Sequence, residues 1–234
     1  MIIEICANSV RSAVIAQESG AQRIELCCNL EQGGLTPSPG TMELARKWLA
    51  IEVFVLIRPR IGDFCYSDIE METMLKNILF CKELQMDGVV FGILNKDKTI
   101  DIERNKILLE AARPMKVTFH RAYDCVPHPS EGLEQLTELG FDRVLTSGQA
   151  NTAVQGQETI RQLVQQAANR IIILPGSGLN TKNIKNFVEF TKVKEVHLSA
   201  KHAIPSGEGG LFAANYLQTS SDLLGKIVGL FDLA

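Results

Sequence analysis

Short β-like runs and longer amphipathic stretches alternate along this chain almost from end to end. The runs fall at 2–6, 23–27, 52–58, 88–91, 116–120, 143–146, 171–174 and 195–198. Helical periodicity occupies the intervals near 9–19, 39–48, 68–85, 100–113, 129–139, 154–168 and 180–190. Every interval is long enough for a right-handed crossover, so consecutive runs are expected to pair in parallel. Ser9 with Ser12, Ser38-Pro39, Ser67-Asp68 and Pro129-Ser130 read as helix starts, and Gly20, Gly88 and Gly140 as helix stops. Eight such units in 234 residues predict an α/β protein, a single-domain (β/α)8 TIM barrel spanning residues 1–234. A doubly wound open sheet would carry a glycine-rich loop after its first strand, and Cys6-Ala7-Asn8-Ser9 supplies none. Residues 201–234 depart from the pattern. A flexible Ser206-Gly207-Glu208-Gly209-Gly210 precedes a helix near 221–231 that would close the barrel as its eighth.

Composition narrows the function classes. Hydrophobic residues make up 45% of the chain, enough to bury a large core without disulfide or metal staples. A net charge of −3 with no basic block argues against nucleic acid and anionic membrane as partners. Met1-Ile2-Ile3-Glu4-Ile5 lacks a basic n-region and reads as a first strand, and no apolar stretch approaches the ~18 residues of a membrane span. Cysteines at 6, 27, 28, 65, 81 and 125 form no CxxC pair, so reduced thiols and a cytoplasmic location are expected.

Five runs carry polar groups on a single parity, with Ile, Val, Leu or Phe on the other. Those groups are Glu4 and Cys6; Arg23, Glu25 and Cys27; Arg58 and Arg60; Thr118 and His120; His197 and Ser199. A strand alternates faces with period two, so the polar parity points away from the covering helices and into the barrel or its mouth. Chemistry in such barrels is carried at the C-terminal strand ends. Arg58-Pro59-Arg60-Ile61-Gly62-Asp63 offers two guanidiniums suited to an anion, although Arg58 or Arg60 would equally well neutralise Glu25, Glu4 or Asp63. His120, followed by Arg121 and Asp124, is a candidate acid–base group or a satisfied structural histidine. Ser147-Gly148 and Gly176-Ser177-Gly178 resemble an anion cradle, or plain tight turns. The second loop, with Gly33-Gly34 and Pro37-Ser38-Pro39, is either a ligand loop or a cap preceded by a turn. Cys6 and Cys27 suit a soft ion such as Cu(I), or are two small buried residues. No four-ligand zinc spacing and no organic-cofactor motif is visible.

Several blocks resemble the CutC copper-homeostasis family: Glu4-Ile5-Cys6, Arg23-Ile24-Glu25-Leu26-Cys27, Gly33-Gly34-Leu35-Thr36-Pro37-Ser38, Arg58-Pro59-Arg60-Ile61-Gly62-Asp63-Phe64, Thr118-Phe119-His120-Arg121-Ala122, Arg143-Val144-Leu145-Thr146-Ser147-Gly148 and His197-Leu198-Ser199-Ala200. The match runs over about residues 2–200. It implies a cytoplasmic, oligomeric TIM barrel linked to copper tolerance, with Cu(I) held by Cys6 and Cys27. Beyond Ala200 the resemblance fades.

Two readings therefore stand. One is a copper-homeostasis protein binding Cu(I) at Cys6 and Cys27. The other is an enzyme acting on a small phosphorylated or carboxylated molecule. In it Glu25, His120 and Asp63 are the catalytic candidates, and Arg58, Arg60, Arg121, Ser147, Gly148, Gly176, Ser177 and Gly178 hold the anion.

Overall fold

A computed structural model describes residues 1–206 and 214–231. Strand β1 (Ile2–Ala7) leads through α1 (Val10–Glu18) to β2 (Arg23–Leu26). The unit recurs as α2 (Pro39–Trp48), β3 (Glu52–Leu56), α3 (Asp68–Glu83), β4 (Gly88–Phe91), α4 (Ile102–Ala112), β5 (Lys116–Phe119) and α5 (Pro129–Leu139). It ends with β6 (Arg143–Thr146), α6 (Gln157–Ala167), β7 (Ile172–Pro175), α7 (Ile184–Thr191) and β8 (Glu195–Leu198). The strands pair in parallel in chain order, β8 lies against β1, and a bridge between Gly176 and His197 completes the ring. The molecule is a (β/α)8 barrel, as the alternation predicted.

The expected starts act as caps. Ser9, Ser38 and Ser67 accept from the amides of Ser12, Thr41 and Glu70, and Glu70 returns a bond to the Ser67 amide. Gly88 corrects the expectation of a helix stop, because it opens β4 and faces the barrel interior.

Alternation divides the core in two. Ile3, Ile5, Ile24, Val53, Val55, Val117 and Val196 pack outward against the helices. Cys6, Cys27, Phe54, Leu56 and Val90 form a separate apolar cluster inside the ring. Below that cluster, parallel register sets Glu4 beside Arg23 and Ile2 beside Glu195. Arg23 donates to both Glu4 and Glu195, and Arg143 donates to Glu195 at 2.9 Å. The Phe54 ring lies 5.0 Å from the Arg23 guanidinium and 5.1 Å from that of Arg143. Such an ion network costs desolvation on every member and is stable only while all members are present.

The missing side chain at Gly88 makes room for that ring. A Cβ there would come within 2.6 Å of Phe54, and the ring is clamped between two guanidiniums. Gly88→Ala is therefore expected to cost about 1–3 kcal/mol, a drop of several degrees in melting temperature for a chain of this length. An unchanged Tm in a calorimetric scan would contradict this packing.

The sequence marks no strand over residues 201–206. They form β9 (Lys201–Ser206), which pairs antiparallel with β10 (Ala214–Thr219); Gly207, Glu208, Gly209 and Gly210 lie outside the described residues. The hairpin is tied to the first βα unit, since Asn8 donates to the Leu217 carbonyl and the Thr219 amide donates to Ser12 Oγ. α8 (Ser221–Gly229) follows, and its Val228 packs against Gly20. Among the described residues no helix is long and apolar enough to cross a membrane.

Candidate functional site

The C-terminal strand ends enclose a cavity of about 420 Å³. Its floor comes from β1, β2 and β8, which present Cys6, Glu25 and His197 at successive inward positions. His197 Nδ1 lies 2.7 Å from Glu4 Oε1. Burial alone would push this imidazole down. Contact with Cys6 and Glu4 and the charge of Glu25 outweigh burial and raise it well above its ordinary value. Burial also opposes the Glu4 charge, yet Arg23 and His197 hold that carboxyl down at about 2.

Glu25 is the opposite case. It is 5% exposed, and burial, reinforced by the charge of Glu4, pushes its carboxyl up to about 7 against the pull of His197. One oxygen lies 3.7 Å from Cys6 Sγ, and the other, Oε2, has no partner. Cys6 Sγ is also 3.7 Å from Cys27 Sγ, and that neighbouring thiol, followed by burial, pushes the Cys6 thiol well above its ordinary value. Donor atoms of Cys6, Glu25 and His197 all lie within 4.8 Å of one another, a spacing that one metal ion could bridge. Cys27 is wholly buried and packs behind Cys6.

The opposite wall holds Arg58, Phe64 and His120. Arg58 is 7% exposed. It donates to the carbonyls of Gln32, Gly34 and Gly62, while its Nε has no partner. Among the described residues no carboxylate pairs with it, so a buried positive charge stands beside the cavity without a counter-ion. The guanidinium lies 5.3 Å from the centre of the Phe64 ring, and that ring lies 4.8 Å from His120. Burial, then the charge of Arg58, push the His120 imidazole down to about 3. Its Nδ1 accepts from the Ala122 amide, and its Nε2 has no partner.

Other expected site residues lie elsewhere. Arg60 and Asp63 are outside the cavity: Arg60 pairs with Asp63 and Glu70, donates to the Cys65 carbonyl and stacks on Tyr66. β3 ends at Leu56, so the alternation that aims Arg58 inward no longer governs Arg60 after Pro59. Ser147 and Gly148 do not form an open anion cradle. The Asp124 carboxylate accepts from the amides of Ser147 and Gln149 and from the hydroxyls of Thr146 and Ser147, while Gly148 donates to Thr146 Oγ1. Arg121 lines the cavity but is tied to Asp124 and Ser147.

In the next loop Gly176 donates to the Thr146 carbonyl, whereas Ser177 and Gly178 line the cavity. The amides of Gly178 and Leu179 make no hydrogen bond among the described residues. α7 begins at Ile184, four residues beyond the expected start at Asn180.

Asp124→Ala would vacate the cradle. It is expected to cost about 2 kcal/mol and to create a phosphate-dependent rise in melting temperature that the wild type lacks. Absence of that rise in the variant would show that the loop is no anion site in either form.

Phe64, Lys201 and His197 also line the cavity, and none of them was a sequence-based site candidate. The parity of EVHLSA marks His197 as inward, but nothing in the sequence pairs it with Glu4. Lys201 opens β9, three residues beyond the end of β8, and no sequence pattern marks it as lining the cavity.

Fold and site together define a (β/α)8 barrel with a mixed-charge cavity at its strand ends. The chain belongs to the CutC family, whose model matches residues 1–202. It is 49% identical over 206 residues to the family protein CutC of Parabacteroides distasonis, covering 88% of this chain and 85% of that one. It is 46% identical over 206 residues to the human copper homeostasis protein cutC homolog, covering 88% and 76% respectively. The crystal structure of the putative copper homeostasis protein CutC from Streptococcus agalactiae superposes with a TM-score of 0.82 at 36% identity, covering 85% of this chain and 98% of that one.

Proposed function

We propose that this protein serves copper homeostasis, the role named for its human and mouse relatives, through a cavity that binds a small organic anion and moves a proton on it. One observation carries the anion: the buried Arg58 charge faces the cavity with no carboxylate partner among the described residues. A buried ion without a counter-charge is costly, and an anionic ligand would relieve that cost. Glu25 is the proton carrier, since it lines the cavity, its Oε2 has no partner and its carboxyl is raised to about 7. His197, held protonated by Glu4, supplies positive charge at the floor.

A thermal-shift screen of small organic anions against their neutral counterparts tests this. Anions are expected to stabilise the wild type, and Arg58→Ala is expected to abolish the shift. Stabilisation by neutral compounds alone, or an undiminished shift in Arg58→Ala, would sink the reading.

The thiol pair at 3.7 Å favours a second reading, in which Cu(I) itself is held by Cys6 and Cys27 with His197 beside them. Because the Cys6 thiol is hard to ionise, capture would release a proton and strengthen as pH rises. Anaerobic Cu(I) titration against a competing chelator should then show one tight site, lost in Cys6→Ser and in Cys27→Ser. Equal retention by all three proteins would remove this reading. All six cysteines are free, which suits a reducing compartment, and we place the protein in the cytoplasm.

A further inference from the structure

We propose that the bound anion is a 2-oxo acid, and that His120 is the specificity residue that recognises its carbonyl oxygen through the N–H at Nε2. This rests on the reading that the cavity takes a small organic anion, and it names the chemical class.

The geometry of His120 fixes what it can offer. Its Nδ1 accepts from the Ala122 amide at 3.3 Å, so the ring proton sits on Nε2. The residue is 5% exposed, lines the cavity, and has no partner at Nε2. A buried donor without an acceptor is expensive, so the ligand must bring an acceptor to it. The ring cannot turn away freely. It packs against Phe64 and Phe119 with centroids at 4.8 and 6.0 Å, and a Cβ on Gly92 would lie 2.8 Å from Nδ1. Its depressed basicity keeps it a neutral donor across the physiological range.

A hydroxyl oxygen would accept as well, but it also brings a proton that needs its own acceptor. The side chains that share this wall, Arg58 and Phe64, are not acceptors. A carbonyl brings no proton, so it matches the wall better.

The carboxylate part of the assignment comes from Arg58, which flanks the same Phe64 ring. After its bonds to three backbone carbonyls, Nε and one N–H of Nη2 have no carbonyl or carboxylate acceptor, and the Tyr66 hydroxyl lies beside the same guanidinium. Two N–H groups match a planar carboxylate. The amide cradle at 147–149 offers an anion nothing further, because Asp124 already fills it.

The test is calorimetric titration of the whole protein with matched 2-oxo, 2-hydroxy and unsubstituted acids of three to six carbons. The 2-oxo acid of the best-fitting length is expected to bind about tenfold more tightly than either counterpart. In His120→Phe, which keeps the aromatic stack, that ratio should fall to near one while the unsubstituted acid still binds. A wild type without the preference, or a variant that retains it, would overturn the inference. So would a 15N spectrum of the labelled wild type showing the His120 proton on Nδ1, and this readout needs no variant. If no organic anion of any class binds, the underlying reading falls as well; if anions bind without the carbonyl preference, this inference alone fails.

Discussion

Arg23→Ala is expected to be among the most destabilising single substitutions in this chain. Arg23 is the cation between Glu4 and Glu195 inside the barrel, 1% exposed. Its removal leaves two buried carboxylates that Arg143 and His197 can satisfy only in part. Removing one partner of a buried pair typically costs about 3–5 kcal/mol, or on the order of 10 °C in melting temperature for a domain of this size. Phe54 loses one of its two flanking guanidiniums in the same step. Adding Glu195→Gln should restore part of the loss, because one orphaned charge is then gone. The check is thermal unfolding of the single and double variants. A Tm within 2 °C of wild type would show that the network is not the barrel's electrostatic keystone.

Glu25→Gln is expected to do the opposite above neutrality. A carboxyl raised from 4.5 to about 7 in the folded protein binds its proton more tightly folded than unfolded. Its contribution is therefore favourable at low pH and is lost as pH climbs from 4.5 through 7. By pH 8 the ionised group costs the fold about 3 kcal/mol. Glutamine carries no such cost, so the variant should be more stable than wild type at pH 8, by about 6–12 °C, and nearly equal to it at about pH 4. His197, also raised, steepens the decline above pH 6.5, and less so in the variant, which lacks the Glu25 charge that helps raise it, so the difference between the two curves reports Glu25 together with its coupling to His197. Parallel curves would mean that Glu25 is an ordinary carboxylate. Stability gained at the expense of activity is what a residue kept for chemistry should show.

Much of this site was legible in the sequence because strand parity is a strict rule. Glu25, Cys6 and His120 sit on polar positions of otherwise apolar runs, and a closed barrel leaves such positions only one place to point. The rule lapses where the strand lapses. Arg60 and Asp63 follow Pro59, beyond the end of β3, and Arg60 pairs with both Asp63 and Glu70. Glycine content suggested an open cradle at Ser147-Gly148, but whether an amide is free depends on which side chain reaches it. Asp124 reaches these amides from the preceding βα loop. The missing counter-ion of Arg58 was invisible for a related reason, since backbone carbonyls satisfy most of its donors without leaving a trace in residue types. No strand was read at the β9–β10 hairpin, because Pro205 stands within its first run.

The most direct test of the central claim is proton exchange on a bound ligand. The protein would be incubated in D2O with the organic anions that stabilise it, and loss of each C–H signal followed by proton NMR. Wild type is expected to exchange a proton of its ligand, and Glu25→Gln to bind the same ligand but exchange it about 10²-fold more slowly or less. Exchange at an undiminished rate in Glu25→Gln, or binding with no exchange by the wild type, would contradict the assignment of Glu25 as the group that moves the proton.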